Sequence, residues 1–188
     1  ESLTKGHYRC GEQLLAVYAQ AYEDVRFLFG KTLILGGSQQ VNNIGDGIFT
    51  GDISAILIKN VHAWTKASKT PEKISLIPDW EEKLGVLTEY ARKNDIRALM
   101  GVPSWMLVLL KKVKEETGKE LTDLWPNLEV FFHGGVSFIP FREQYNKLID
   151  SSKMRYWETY NASEGFFGVQ MHKDRRDMLL MLDNGIYY

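Results

Sequence analysis

Tyr156-Trp157-Glu158-Thr159-Tyr160-Asn161-Ala162-Ser163-Glu164-Gly165-Phe166-Phe167-Gly168-Val169 reads as a strand that stops on a small, polar, acidic turn and resumes as an aromatic run. Aromatic and β-branched side chains suit the pleated surface of a sheet, whereas Asn, Ser and Gly suit turns. A hydroxyl and a carboxylate at the mouth of a strand, just after an aromatic ring, can hold a phosphate oxygen, a divalent cation and a flat base together. Taken alone, Ser163 and Glu164 are accounted for better by a turn or a helix cap.

Upstream of that stretch the chain alternates strand and helix. Ile96 to Val102 is a short buried strand, and Pro103 follows at a position suited to the first turn of a helix running to Glu116. Leu128 to Phe132 is a second strand, stopped by His133-Gly134-Gly135, and Phe141 to Ile149 is the next helix. The third strand is Arg155 to Tyr160. Such spacing predicts an α/β fold, a mainly parallel sheet with flanking helices joined by right-handed crossovers. In such sheets ligands lie outside the carboxyl ends of the strands. Those ends are Gly101-Val102-Pro103-Ser104, His133-Gly134-Gly135-Val136 and Tyr160-Asn161-Ala162-Ser163-Glu164.

The earlier residues predict a helix over 2–21, capped by Ser2 or Thr4, and a strand over Lys31 to Leu35 stopped by Gly36-Gly37-Ser38. Residues 39–51 are polar and glycine-bearing and read as a loop. Asp52 caps a short helix from Ile53 to Ile58, residues 65–78 are a connection, and Asp79 caps a helix to about Lys93. Met178 to Tyr188 reads as strand, Asn184-Gly185 turn and the start of a return strand, so residues 1–188 are expected to be an internal piece of a larger domain.

Composition narrows the function. A net charge of −1 supplies no field to attract nucleic acid or acidic lipid. Lys111-Lys112-Val113-Lys114 runs into Glu115-Glu116, as on a solvated helix face. No apolar run approaches the roughly 20 residues that span a bilayer, and no signal-peptide pattern opens the chain. The single cysteine, Cys10, excludes an internal disulfide and reads as a packed small residue in a reducing, cytoplasmic setting. The phosphate-loop pattern G-x-x-x-x-G-K-[ST], the dinucleotide pattern G-x-G-x-x-G, the G-x-S-x-G elbow and Cys/His zinc spacing are all absent. His133 without a second ligand nearby reads as a structural histidine. Trp105, Met106, Leu107 and Leu109 read most simply as helix core.

Three segments taken together resemble one family. Gly101-Val102-Pro103-Ser104-Trp105-Met106-Leu107-Val108-Leu109-Leu110, then Leu128-Glu129-Val130-Phe131-Phe132-His133-Gly134-Gly135-Val136, then Tyr156-x-x-x-Tyr160-Asn161-Ala162-Ser163-Glu164-Gly165 are similar, in order and spacing, to the acyl-adenylate-forming superfamily of luciferases and acyl-CoA synthetases. They are most similar to its Gretchen Hagen branch, the auxin-responsive acyl-acid amido synthetases and their bacterial homologues. The resemblance implies activation of a carboxylic acid with Mg-ATP, followed by transfer of the acyl group to an amino acid amine. By motif position it implies that Gly134, Gly135 and Val136 lie along adenine and that Tyr160 stacks on it. Asn161 belongs to the same nucleotide-binding set. Ser163 would approach the α-phosphate, Glu164 would hold Mg2+, and Val102, Pro103, Ser104, Trp105 and Met106 would border the acyl pocket. The family's Ser/Thr/Gly phosphate loop, its ribose-gripping segment and its C-terminal domain fall outside these residues, so the piece is expected to be inactive alone. An acyl- or aryl-CoA ligase and a non-catalytic interaction module that keeps the fold are the alternatives.

Overall fold

The computed structural model describes residues 2–36, 42–46, 48–61, 63–149, 152–183 and 185–186. Helix α1 (Ser2–Tyr22) buries His7, Cys10, Leu14 and Tyr18, which recur at three- and four-residue steps and so share one face. A 3-10 turn (Arg26–Phe29) leads into β1 (Lys31–Leu35). The region read as a loop over 39–51 contains a small antiparallel ribbon, β2 (Asn42–Gly45) and β3 (Ile48–Thr50). Its polar residues carry no apolar alternation; backbone pairing and a turn through Gly45 and Asp46, both at positive φ, form it instead. Gly37 and Ser38, expected to stop β1, lie outside the described residues.

Helix α2 (Ile53–Lys59) begins where Asp52 accepts the Ser54 N–H at 2.7 Å. The connection expected over 65–78 overlaps two single-turn helices, α3 (Ala63–Lys66) and α4 (Glu72–Ser75). Helix α5 (Trp80–Lys93) is capped by Asp79, whose Oδ1 accepts the Glu82 N–H at 2.8 Å. Asp79→Ala is expected to cost about 1 kcal/mol of stability, read as a lower midpoint in urea at unchanged slope. Strand β4 (Ile96–Gly101) and helix α6 (Pro103–Thr117) follow, with Gly118 at φ 62 ending the helix. On α6 the lysine-rich face is solvated as expected, with Lys112 pairing Glu116 at 3.0 Å.

Helix α7 (Leu121–Leu124) precedes β5 (Val130–Gly134), which starts two residues later than Leu128 because Leu128 N–H still closes a turn onto Trp125 O. A 3-10 turn (Ile139–Phe141) continues into α8 (Arg142–Leu148), and β6 (Arg155–Ala162), β7 (Gly165–Gln170) and β8 (Met178–Leu180) complete the chain. Of the expected terminal hairpin only β8 and part of the turn are described; Asn184, Tyr187 and Tyr188 are not.

The main sheet has six strands in the order β1-β4-β5-β6-β7-β8. The first four are parallel and the last two antiparallel, so the mainly parallel α/β expectation stands. Helices α5, α6 and α8 cover one face around Leu99, Phe131 and Leu110. Helix α1 and the first 3-10 turn cover the other around Ala98, Phe132 and Trp157. Cys10 is fully buried there, as a packed residue. Arg155 ties this layer to the start of β6. It donates to Tyr18 Oη at 3.0 Å and Asp24 at 3.2 Å, and it lies over the Tyr22 ring. Among the described residues no helix is long and apolar enough to cross a membrane.

Candidate functional site

Parallel register brings the strand ends level. Leu35 pairs with Gly101, Gly101 with His133, and His133 with Glu158, while Gly134 is one step further and pairs with Thr159. The three motif segments, remote in sequence, therefore meet at one edge of the sheet. Gly135 stands at φ 83, and a Cβ there would come within 3.4 Å of Val102 Cγ2, so the first and second segments are in contact. Gly134 is more restricted. A Cβ would clash with Thr159 O and lie 2.7 Å from Thr159 Oγ1, so only glycine lets β5 and β6 approach this closely.

Ser163 and Glu164 are the two residues of the β6–β7 hairpin loop, closed by the Ala162–Gly165 pair. This settles the local structure as a turn, with no helix to cap. Both side chains are exposed and make no ion pair or side-chain hydrogen bond among the described residues. Tyr160, 57% exposed, leans on Phe167 with ring centroids 5.1 Å apart. A register shift between Tyr160 and Asn161 twists the strand just before the turn. Asn161 is half-buried, with Oδ1 3.4 Å from Thr159 Oγ1. Val136 is exposed beyond the two glycines.

The first segment divides by burial. Val102 is the residue before α6, Pro103 is buried with its carbonyl accepting the Tyr145 hydroxyl at 2.8 Å, and Ser104 is half-buried. Met106, Leu107 and Leu109 are core. Trp105, read as core from its spacing, is instead 41% exposed beside Trp80, because it faces away from the sheet.

Two residues that hold the corner escaped the sequence reading. His7 of α1 donates from Nε2 to Ala162 O at 3.1 Å, a bond across 155 positions; since a carbonyl only accepts, Nε2 carries the proton. Thr159 donates to His133 O at 3.2 Å and fills the space against Gly134. A buried polar residue on the apolar stripe of α1 was the available signal for His7; Thr159 carried none, since threonine is an ordinary strand residue.

His133 is buried, as a structural histidine, stacked on Phe138 at 4.3 Å. Burial first, and the Arg142 charge second, pull its pKa down to about 3, so it is neutral at pH 7. The unfolded chain binds a proton near pH 6.5 that the folded chain refuses, so this histidine makes stability fall as pH drops from about 6.5 towards about 3. His133→Gln is expected to flatten that part of the stability–pH curve, by up to about 1.4 kcal/mol per pH unit, measured by urea unfolding at stepped pH.

The corner is chemically fit for a magnesium nucleotide. It offers an exposed aromatic face, a free hydroxyl, a free hard carboxylate and glycine backbone that a ligand can approach. Among the described residues no group of three or more His, Cys, Asp or Glu could hold a metal ion.

Comparison with known proteins bears on the family and the fold. The sequence matches the family described as the GH3 family N-terminal domain over residues 41–154, more than half of the chain. No curated protein matches it. Among solved structures the fold is similar to an open conformation of 2-hydroxyisobutyryl-CoA ligase in complex with 2-HIB-AMP and CoA. The TM-score is 0.53 at 12% identity, covering 89% of this chain and 33% of the ligase chain. The chain thus spans about a third of that ligase's length, and the likeness is one of fold.

Proposed function

The chain belongs to the GH3 family through that family's N-terminal domain, and from this premise we propose that it carries the adenine, α-phosphate and Mg2+ corner of an ATP-dependent acyl-acid amido synthetase. The carrying observation is the hairpin turn Ser163-Glu164, without side-chain partners among the described residues, beside the exposed Tyr160 ring and the Gly134-Gly135 strand end.

In this reading Tyr160 stacks on adenine while the backbone of Gly134, Gly135 and Val136 follows its edge, with Asn161 supporting the turn. Ser163 donates its hydroxyl proton to an α-phosphate oxygen. Glu164 would hold Mg2+, which would offset the repulsion between two anions. A carboxylate oxygen of the acid attacks the α-phosphorus and the bond to the β-phosphate breaks, releasing pyrophosphate. The amine of an amino acid then attacks the acyl carbonyl, AMP leaves with the bonding electrons, and the amine proton passes to solvent. The residues hold and orient the reactants, and positioning of this kind accounts for a large share of a barrier. Val102 to Met106 border the acid, with Trp105 exposed, Val102 and Ser104 half-buried, and Pro103 and Met106 packed behind them. A cytoplasmic setting is part of the proposal and rests on one buried cysteine.

Acid-dependent ATP–pyrophosphate exchange by the full-length protein tests the first step. If no carboxylic acid in a broad panel supports exchange, the reading fails. The alternative is a CoA ligase, the activity in the name of the structural neighbour, whose likeness is one of fold. Comparing amide formation with an amino acid and thioester formation with CoA decides between them.

A further inference from the structure

A cavity of about 600 Å3 lies against the first half of β6. It exists because β7 pairs with β6 only from Thr159 onward, so Arg155 to Glu158 have β5 on one side and no strand on the other. Gln170 closes part of that edge. Its Oε1 accepts the Glu158 N–H at 3.0 Å, and its Nε2 donates to His172 O at 2.7 Å. The cavity is therefore a feature of the strand's unpaired flank, separate from the hairpin corner, and none of Gly134, Tyr160, Ser163 or Glu164 lines it.

Two residues that line it, His133 and Tyr156, each have a buried polar atom, Nδ1 and Oη, without a hydrogen-bond partner among the described residues. An unpaired buried polar atom is costly, and two in residues of one polar cavity point to a ligand whose entry uncovers and pairs them. The cavity's cations point to its charge. Arg142 lies over the Phe138 and Tyr156 rings at 5.1 and 5.4 Å and has no ion pair among the described residues, and neither has Arg176. Arg155 is engaged by Asp24 and Glu129, and Arg175 by Asp177. Lys173 rests on the Tyr22 ring. Among the described residues Glu158 and Asp174 are the carboxylates lining the cavity, so Arg142, Lys173 and Arg176, which have no ion pair, outnumber them by one and the unpaired charge is net positive. A volume of about 600 Å3 also exceeds what a bare ion fills.

We infer that this cavity binds a small organic or inorganic oxyanion carrying at least two negative charges, held by Arg142 and Arg176 and hydrogen-bonded by His133 and Tyr156. The neutral imidazole and the phenol each contribute a directed polar contact without adding charge, and the guanidinium groups supply bidentate recognition of carboxylate or phosphate. The pre-stacked Arg142 loses little freedom on binding.

Calorimetric titration of the protein with citrate and, separately, with pyrophosphate in metal-free buffer tests the inference. Saturable binding of at least one is expected. Binding of citrate alone identifies a carboxylate site and binding of pyrophosphate alone a phosphate site. Arg142→Gln and Arg176→Gln, both at exposed positions, are each expected to weaken it at least tenfold with unchanged thermal unfolding. Tyr156→Phe is expected to weaken it several-fold, while Glu164→Gln leaves it unaltered. Absence of saturable binding of either anion overturns the inference. So does full affinity in the Arg142→Gln, Arg176→Gln double variant, or a loss in Glu164→Gln equal to that in Arg142→Gln.

Discussion

Glu164→Ala in the full-length protein is expected to lower acid-dependent ATP–pyrophosphate exchange by about 10²- to 10³-fold and to leave the free energy of unfolding within about 0.5 kcal/mol of the parent. The two halves of that expectation have one origin. Glu164 is on a two-residue turn, exposed, and free of any ion pair or side-chain hydrogen bond among the described residues, so the fold does not depend on its charge. A side chain that supports nothing locally is available to a ligand, and a hard carboxylate beside bound phosphates is suited to Mg2+. Glu164→Gln keeps the size and removes the charge, and it is expected to behave like alanine. Ser163→Ala should show a smaller loss, since one neutral hydrogen bond to the phosphate is removed. Exchange at the parental rate in Glu164→Ala would falsify the assignment of this carboxylate.

Trp157→Ala is expected to remove about 3–5 kcal/mol of stability, enough to unfold a marginal domain. Trp157 is fully buried in β6 and meets Tyr18 and Tyr22 of α1 edge-on, at 5.5 and 5.7 Å. It forms the centre of the contact that clamps the first helix across the sheet, and removing the indole leaves a cavity between two rigid elements that cannot close together. Trp157→Phe should cost less than half as much. The Trp157 Nε1 has no partner among the described residues, so phenylalanine loses part of the packing and also removes an unsatisfied donor. Urea unfolding of both variants measures the difference. A cost for Trp157→Ala below about 1.5 kcal/mol would mean that the α1 layer is not held through this ring.

Much of the corner was legible because its signals are local. The turn at Ser163-Glu164 follows from two small or polar residues between aromatic runs, and it formed within the chain segment that encodes it. Asp52, Asp79 and Pro103 likewise marked helix starts, since a cap needs only its own backbone neighbours. The ribbon at 42–50 and the one-turn helices at 63–66 and 72–75 were not legible. They are too short to show a periodicity, and backbone bonds rather than side-chain pattern define them. Trp105 was misread for a related reason. Large apolar residues at helical spacing are usually core, and only the direction of α6 relative to the sheet turns this one outward.

The sequence by itself determined the alternation of strands and helices, the positions of the caps and the polar turn within Tyr156 to Val169, all set by interactions between residues a few positions apart. Only the tertiary structure decided which strand ends stand side by side, that Gly134 needs to be glycine against Thr159, that His7 reaches Ala162, and that β6 keeps an open flank beside Arg142. Those relations depend on how separate segments pack and pair. Packing is decided by the burial of whole faces at once, and the side chains of any one segment do not specify their partners in another.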